Sequence, residues 1–284
     1  MGSGLIARRM KYALRFLPDE TFIRLYYFLK FKKRINLDNP QNFNEKLNWL
    51  KLHDRRDIYT IMADKYEAKQ YASDIIDNKY IVPTYGVYDS FDEIDFDKLP
   101  DEFILKCTHD CDTSIIVHNK KDFDVEKARK KICNSMKKNY FYIAREWPYK
   151  NIKPRIIVEK LLHNDDDSEL IEYNYFCFHG VPKYVMVCHG DKRVKRYNDF
   201  YDIKFNKLDL KVGYDNSTNM DRKPKQFYEM SRIAKSLSKD VPHLRVDFYV
   251  CNGKVYLGEL TFYHFSGFGR FNSKEWNNRF GSLI

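Results

Sequence analysis

The sequence predicts an α+β protein in which helices come first and largely antiparallel sheets follow. Residues 6 to 80 look mainly helical, because Phe43, Leu47 and Leu50 recur at helical spacing. The rest of the chain has the order strand–strand–helix–strand, then hairpin–helix–hairpin. Asn252-Gly253, between two strand-like segments, is the strongest short turn signal in the chain. Strands and helices do not alternate regularly, so a doubly wound parallel sheet is not expected.

Each element has its own local signal. In the helical segment, Asn42 or Asn44 is a candidate N-cap, and residues 59–73 are predicted to form a further helix. Residues 80–82 are predicted to form a short strand that ends before Pro83. The later predicted strands are 102–108, 115–117, 155–162, 172–178, 183–188, 244–250 and 254–260, and the later helices are 124–138 and 226–238.

This order suggests three segments. Residues 5–85 form a helical N-terminal region, residues 86–155 a first α+β subdomain, and residues 156–284 a second one that ends in the Asn252-Gly253 hairpin.

Composition excludes several classes of protein. The chain has 284 residues, of which 43% are hydrophobic, so a disordered chain is not expected. No apolar run approaches the roughly 20 residues of a membrane-spanning helix. The six cysteines are scattered through a chain that is too large to be a disulfide scaffold. A reduced, cytoplasmic setting is therefore expected.

The positive charge is concentrated near the N-terminus. The net charge is +10, and residues 1–56 hold 13 Lys or Arg against 5 Asp or Glu. Within this stretch, residues 22–34 alternate apolar or aromatic side chains with basic ones. Such a segment can lie on an anionic bilayer at the inner membrane face, or it can be a core helix with a basic C-terminal end. Nucleic acid is not an expected partner, since no groove-binding motif accompanies the charge.

The terminal hairpin is the main candidate site. Side chains alternate along a strand, so Arg245 and Asp247 share one face, and Glu259 and Thr261 share one face. Pairing through the turn brings Asp247 near Glu259. Two carboxylates in a half-buried sheet repel each other unless a cation lies between them, and Mg²⁺ prefers such oxygen ligands. The alternative is an ordinary hairpin with outward-facing polar side chains.

A second candidate site follows the strand at 102–108. Lys106 lies in an apolar strand and must face a cleft or reach the surface, and a cleft lysine suits a phosphate. The following loop, from Thr108 to Ser114, offers hydroxyl and backbone N–H groups. Glu159-Lys160 ends another strand, where it could meet an adenine edge or solvent. Neither a Walker P-loop nor a Rossmann glycine motif is present.

Taken together, these features resemble a known family. Lys106, then residues 158–162 (VEKLL), then Arg245-x-Asp247 and Glu259-x-Thr261 follow the order of ATP-grasp proteins. More closely, the chain resembles the TupA-like ATP-grasp group of bacterial polysaccharide gene clusters, whose members are often labelled glycosyltransferase. The stretches that carry this resemblance are NPQNFNEKL (39–47), GVYDSFDEI (86–94), FILKCT (103–108), REWPY (145–149), RVDFY (245–249) and GELTF (258–262).

The resemblance implies an ATP-grasp fold: two α+β subdomains that enclose a nucleotide cleft, preceded by a mainly helical N-terminal region. It also implies roles for single residues. ATP would contact Lys106, Thr108, Ser114, Glu159 and Lys160; Mg²⁺ would be held by Asp247, Glu259 and Thr261; and Arg245 would stabilise the reacting acyl phosphate.

Two departures bear on ATP binding. The loop after Lys106 usually carries glycine in the group, but here Asp110 and Asp112 add negative charge. A lysine that the group places after Glu172-Tyr173 is Asn174 here. Acidic groups near phosphates are unfavourable unless they point away.

The implied activity is ATP-dependent joining of a carboxylate to an amine through an acyl phosphate. The expected substrates are a uronic acid of a capsule or O-antigen type glycan precursor and an amino acid. Two alternatives remain open. A glycosyltransferase would need a metal-binding D-x-D pair, and residues 165–167 (DDD) contain that string. A binding module would have lost catalysis while keeping the fold.

Overall fold

The computed structural model describes residues 11–111, 113–190 and 196–284. The chain divides into two compact units. Unit 1 contains the described part of residues 1–15 together with Arg56–Leu162, and unit 2 contains Phe16–Arg55 together with His163–Ile284.

The helices and strands are short and are numbered along the chain. The helices are α1 (Asp19–Phe31), α2 (Phe43–His53), α3 (Ile58–Ala63), α4 (Glu67–Ser73), α5 (Val125–Met136), α6 (Phe141–Ala144), α7 (Phe227–Leu237) and α8 (Lys274–Gly281). The strands are β1 (Thr84–Tyr88), β2 (Phe103–Cys107), β3 (Ser114–Val117), β4 (Ile156–Glu159), β5 (Glu172–Phe178), β6 (Val181–His189), β7 (Tyr197–Asp202), β8 (His243–Cys251) and β9 (Lys254–Thr261).

Unit 1 is built on an antiparallel sheet with the strand order β1-β4-β2-β3. Helix α5 covers one face through Ala128 and Ile132, which join a buried cluster that includes Leu105 and Cys107 of β2. Because side chains alternate along β2, Lys106 points to the opposite face. The face under α5 is therefore core, and the opposite face carries Lys106 and Glu159 beside the buried Ile157.

Unit 2 is built on a second antiparallel sheet, with the order β7-β6-β5-β8-β9. Helix α7 buries Met230, Ile233 and Leu237, which recur at the three- and four-residue spacing of one helix face. These two antiparallel sheets with their helices confirm the predicted α+β class.

The predicted start of α2 is confirmed. Asn42 is the N-cap, and its side chain accepts a hydrogen bond from the backbone N–H of Glu45 at 3.1 Å. The Glu45 carboxylate in turn accepts from the backbone N–H of Asn42 at 3.3 Å. This reciprocal capping box satisfies two N–H groups that a helix start otherwise leaves unpaired.

Two local predictions were wrong. The helix expected over 59–73 is broken, because the Asp64 carboxylate accepts from the backbone N–H groups of Tyr66 and Glu67 at 2.8 and 2.9 Å and starts a new helix. No strand forms at 80–82. Asn78–Tyr80 is a 3₁₀ turn, and the strand begins only at Thr84, after Pro83.

The bounds of the two compact units differ from those of the three segments expected from the sequence. β4 pairs with β1 and β2 and so belongs to the sheet of unit 1, although residue 156 was expected to open the second subdomain. The N-terminal helices are divided between the two units. Among the described helices, none has the length and apolar character needed to cross a bilayer.

Candidate functional site

In unit 1, one buried carboxylate lies between two lysines. The Lys106 ammonium is 2.6 Å from Oε2 of Glu159, and the Lys69 ammonium contacts Oε1. Lys69 also donates to the carbonyl of Val82 at 2.7 Å and to the hydroxyl of Thr84 at 2.9 Å. The register explains the meeting, since Glu159 pairs with Ile104 of β2, two residues from Lys106 on the same face.

The charges of this cluster depend on one another. Burial would raise the pKa of Glu159, but the ammonium groups of Lys106 and Lys69 outweigh it and lower that pKa below its ordinary value. Burial lowers the pKa of Lys69, and Glu159 opposes the change. The carboxylate therefore holds two cations close together on the sheet face opposite α5, and the Lys106 side chain is 27% exposed there, so it can meet an anionic ligand.

Lys69 was not identified from the sequence. It lies on α4, 37 positions before Lys106, within an ordinary polar helix. No local pattern marks it, because only the packing of α4 against β1 and β4 brings it to Glu159.

The other residues expected at this site differ in exposure and in the direction of their side chains. Ser114 pairs with Lys106 across β2–β3 and shares its face, and it is exposed. Thr108 is fully buried, and its Oγ1 has no hydrogen-bond partner among the described residues. Lys160 is exposed, and its backbone N–H donates to the carbonyl of Pro83 at 2.9 Å. Both oxygens of the Glu159 carboxylate are already in ion pairs, one with each lysine.

The acidic loop after β2 is turned inward at Asp110. This residue is 3% exposed, and its carboxylate accepts from the backbone N–H and hydroxyl of Thr113, at 2.9 and 2.5 Å, and from the hydroxyl of Ser135. Burial would raise the pKa of Asp110, but the hydrogen bonds to its carboxylate outweigh burial and lower that pKa. Its negative charge is thus directed away from a ligand on the Lys106 face. Asp112 lies outside the described residues.

In unit 2, the terminal hairpin brings its acids together as predicted. Asp247 pairs with Glu259 across β8–β9. Up to Phe248 and Leu257, the strands keep the register of the two-residue Asn252-Gly253 turn, which by itself would place Asp247 opposite Gly258. A β-bulge at Gly258 shifts that register by one residue, so Glu259 takes the place opposite Asp247.

The guanidinium of Arg245 lies at the centre of this acid group. Its Nε and Nη2 donate to the two carboxylate oxygens of Asp247 at 2.7 and 2.5 Å. The same Nη2 is 3.4 Å from Oε1 of Glu259 and 3.2 Å from the hydroxyl of Thr261. All four residues named from the sequence therefore meet at one point of the sheet.

His264 completes the group and was not singled out from the sequence. Its Nδ1 is 2.8 Å from Nη1 of Arg245. Arginine can only donate, so Nδ1 accepts and the ring is neutral. Burial, together with the positive charge of Arg245, lowers the pKa of His264 well below its ordinary value. His264 lies in a 3₁₀ turn after β9, where no strand periodicity indicated its direction.

Comparison with known protein families identifies the family of this chain. The family model described as TupA-like ATPgrasp matches residues 45–284. The chain belongs to the TupA-like ATP-grasp family. The resemblance inferred from the sequence motifs is confirmed. A search of curated proteins found no match for this TupA-like protein.

Solved structures of similar fold share little sequence with this TupA-like chain. D-alanine–D-alanine ligase from Bacillus anthracis is 14% identical over 71% of this chain and 57% of its own, with a TM-score of 0.43. The Helicobacter pylori enzyme is 17% identical over 86% and 69%, with a TM-score of 0.44. D-cycloserine synthetase DcsG is 16% identical over 78% and 69%, with a TM-score of 0.42. The match thus spans less than two thirds of the Bacillus anthracis enzyme.

The hairpin of this TupA-like protein has the donor set that a magnesium ion needs. Asp247 is 1% exposed, and burial raises the pKa of its carboxyl, while Arg245 acts in the opposite direction. Two carboxylates and one hydroxyl converge at this place, where Arg245 supplies the positive charge, and oxygen donors of this kind are the ligands that Mg²⁺ prefers. Asp247, Glu259 and Thr261 therefore fit a Mg²⁺ ion.

Asn174 stands beside this group, where the TupA-like group was expected to carry lysine. It pairs with Asp247 across β5–β8, is 1% exposed, and donates to the sulfur of Cys188 at 3.6 Å. Its Oδ1 is buried without a partner among the described residues. The amide therefore adds no positive charge next to Asp247.

A further polar cluster is formed by one residue of β6, one of β7 and one of the segment that follows β7. His189, Asp199 and Asp221 bring ligand atoms within 4.8 Å of one another. Lys207 is 2.8 Å from Asp199, and Nε2 of His189 is 2.6 Å from Asp221. The chain's own cations thus balance these two carboxylates.

Proposed function

We propose that this TupA-like ATP-grasp protein is an ATP- and Mg²⁺-dependent carboxylate–amine ligase. A carboxylate oxygen would attack the γ-phosphorus of ATP and release ADP, which gives an acyl phosphate. An amine nitrogen would then attack the acyl carbon, lose a proton and release phosphate. The observation that carries the proposal is the convergence of Asp247, Glu259 and Thr261 on one positive group, in a chain that belongs to the TupA-like ATP-grasp family.

The lysine pair of unit 1 supports nucleotide binding. Lys69 and Lys106 share the Glu159 carboxylate on the sheet face opposite α5. A triphosphate offers more negative charge than one carboxylate, so the two ammonium groups can contact its oxygens while Glu159 keeps them in place. Ser114 adds a hydroxyl on the same face.

The hairpin of unit 2 supports the transfer of the phosphoryl group. Mg²⁺ held by Asp247 and Glu259, with Thr261 as a further oxygen ligand, would neutralise charge on the phosphates. Arg245 has five N–H donors. Its hydrogen bonds to His264 and Asp247 fix the orientation of the guanidinium. Its guanidinium would stabilise the negative charge that develops on the reacting acyl group.

For the substrates, we propose a uronic acid of a capsule or O-antigen type glycan precursor and an amino acid. The support is the resemblance to proteins of polysaccharide gene clusters and the net charge of +10, which favours acidic substrates. A glycosyltransferase is the competing function, and its candidate D-x-D string has other uses here. Asp165 accepts from the side chain of Asn252 at 2.9 Å, and Asp166 accepts from Ser168 at 2.6 Å.

The deciding experiment incubates the protein with Mg-ATP and pairs of uronic acids and amino acids. Phosphate release and the product mass are followed together. A ligase gives ADP, phosphate and a conjugate whose mass equals the sum of its substrates minus one water. Release of UDP or GDP from a nucleotide sugar would instead establish the glycosyltransferase.

A non-catalytic relic is tested by ligand-induced stabilisation. A nucleotide at 100 times its dissociation constant adds about 2.7 kcal/mol to the free energy of unfolding. Absence of any thermal shift with Mg-ATP or Mg-ADP would contradict the proposed ligase.

A further inference from the structure

Helix α1 has two apolar faces, of which only one is used by the fold. Phe22, Ile23 and Tyr27 are buried within unit 2. Leu25, Phe28 and Leu29 point outward and are 38%, 48% and 52% exposed. Their i, i+3, i+4 spacing places them side by side on one stripe of the helix. The sequence alone did not separate these two sets.

A further large apolar side chain is exposed just before the helix. Phe16, two residues before Pro18, is 76% exposed. Single exposed apolar residues are common on protein surfaces, but Leu25, Phe28 and Leu29 lie side by side and form a patch. The fold itself gains nothing from keeping this patch in water.

The charged side chains are paired at the N-terminal end of α1, whereas the C-terminal end carries an excess of basic side chains. At the N-terminal end, Asp19 is paired with Arg55 at 2.7 Å and Glu20 with Arg24 at 2.7 Å. At the C-terminal end, Lys32, Lys33 and Arg34 are all exposed. None of these three side chains has a partner among residues 11–111, 113–190 and 196–284.

Two more cations lie at the same end. Lys30 is on the last turn of α1, and Arg270 donates to the backbone carbonyl of Lys30 at 2.9 Å, which fixes its guanidinium there. Five basic side chains therefore surround the end of a helix whose outer stripe is apolar. Cations are favourable at a helix C-terminus, but that effect needs only one or two of them.

We propose that the outer face of α1, formed by Leu25, Phe28 and Leu29 with the basic end at 30–34, docks on an anionic membrane surface. Apolar side chains would enter the boundary between headgroups and acyl chains, and the basic end would lie against the anionic headgroups. Charge complementarity favours this occupant over a second copy of the same chain, because two copies would bring like charges together. The inference does not depend on the ligase reaction.

The test measures sedimentation of the purified full chain with two kinds of vesicle. One contains phosphatidylcholine with about one third phosphatidylglycerol, and the other contains phosphatidylcholine alone. Binding is expected with the anionic vesicles, weaker as salt is raised, and at least tenfold weaker with the neutral ones. Equal binding to both, or no binding to either, would overturn the proposal.

Matched variants separate the patch from the rest of the surface. Phe28→Gln with Leu29→Gln keeps good helix formers at exposed positions and is expected to weaken vesicle binding at least tenfold. The control is Met220→Gln with Tyr228→Gln, which removes two side chains that are 74% and 67% exposed in the same unit but outside the patch. Control and wild type should bind alike, and equal losses in both variants would reject the assigned face.

The charge contribution has its own pair of variants. Lys33→Glu with Arg34→Glu should reduce binding at least tenfold, because each basic residue near an anionic surface adds about a factor of five. Lys235→Glu with Lys239→Glu makes the same net change at exposed positions elsewhere in unit 2. Sedimentation equilibrium without lipid completes the test, since a dimer that Phe28→Gln with Leu29→Gln dissociates would show that a second copy covers the patch.

Discussion

Arg245 holds Asp247 through two hydrogen bonds, of 2.7 and 2.5 Å, although the two residues belong to the same strand. They are two positions apart on β8, so their side chains lie on one face, where the side chain of Asp247 is 1% exposed and that of Arg245 is 12% exposed. An ion pair in this setting is sensitive to the loss of either partner, because the remaining charge stays buried.

Asp247→Asn is therefore expected to affect both activity and stability. The variant should lose ATP-dependent turnover, and its free energy of unfolding should fall by about 3–5 kcal/mol, since the Arg245 charge loses its counter-ion. Urea unfolding and phosphate release measure the two effects. A variant with full activity would show that the metal assignment is wrong.

Glu259→Gln separates the two effects. Its side chain is 44% exposed, and its contact with Arg245 is long, at 3.4 Å. Turnover should be lost with less than about 1 kcal/mol change in stability, because exposed ion pairs contribute little. Lys254→Gln, at an exposed position of the same strand, serves as the control and should keep activity.

The bulge at Gly258 offers a test of the register. A Cβ at this position would lie 3.0 Å from the ring of Tyr249 and 3.2 Å from the backbone oxygen of Asp247. Gly258→Val is therefore expected to lower the free energy of unfolding by about 1–3 kcal/mol and to weaken Mg²⁺-dependent ATP binding. Unchanged Mg-ATP affinity in a folded Gly258→Val protein would argue against the role of the bulge.

The lysine pair of unit 1 is tested by nucleotide affinity. Lys106→Met should weaken Mg-ATP binding at least tenfold, measured by calorimetry, because one of two phosphate-facing cations is lost. Lys121→Met removes an exposed lysine in the same unit and should bind like the wild type. Equal affinities of the Lys106→Met variant and the wild type would place the nucleotide elsewhere.

His189 gives a prediction on pH. Its pKa is raised above 6.5, first by the hydrogen bond to Asp221 and against the effect of burial. A raised folded-state pKa stabilises the protein fully below pH 6.5, and this stabilisation is lost as pH rises through the folded pKa. Proton NMR titration should show His189 titrating above 6.5 in the wild type and lower in Asp221→Asn. Identical titrations would contradict the ion pair.

Much of the site was predictable because its residues are close in sequence or joined by one turn. Alternation along a strand places Arg245 with Asp247, and the Asn252-Gly253 turn brings β9 back beside β8. Asn42 and Glu45 form their capping box within four residues. Signals of this kind need no knowledge of the rest of the fold.

Residues from distant segments were not predictable in the same way. Lys69 reaches Glu159 only because α4 packs beside β1 and β4, and His264 reaches Arg245 from a turn without periodicity. The break of the predicted helix at Asp64 was also not predictable, because in the sequence an aspartate that caps a new helix resembles any polar residue in a helical pattern.

The sequence by itself determined the α+β class, the family and the strand faces that carry the acids, because alternation and turn chemistry are local properties of the chain. Tertiary structure decided the bulge that aligns Asp247 with Glu259, the lysine that joins Lys106, and which side of α1 remains in water. These depend on which segments pack together, and packing is a property of the whole chain.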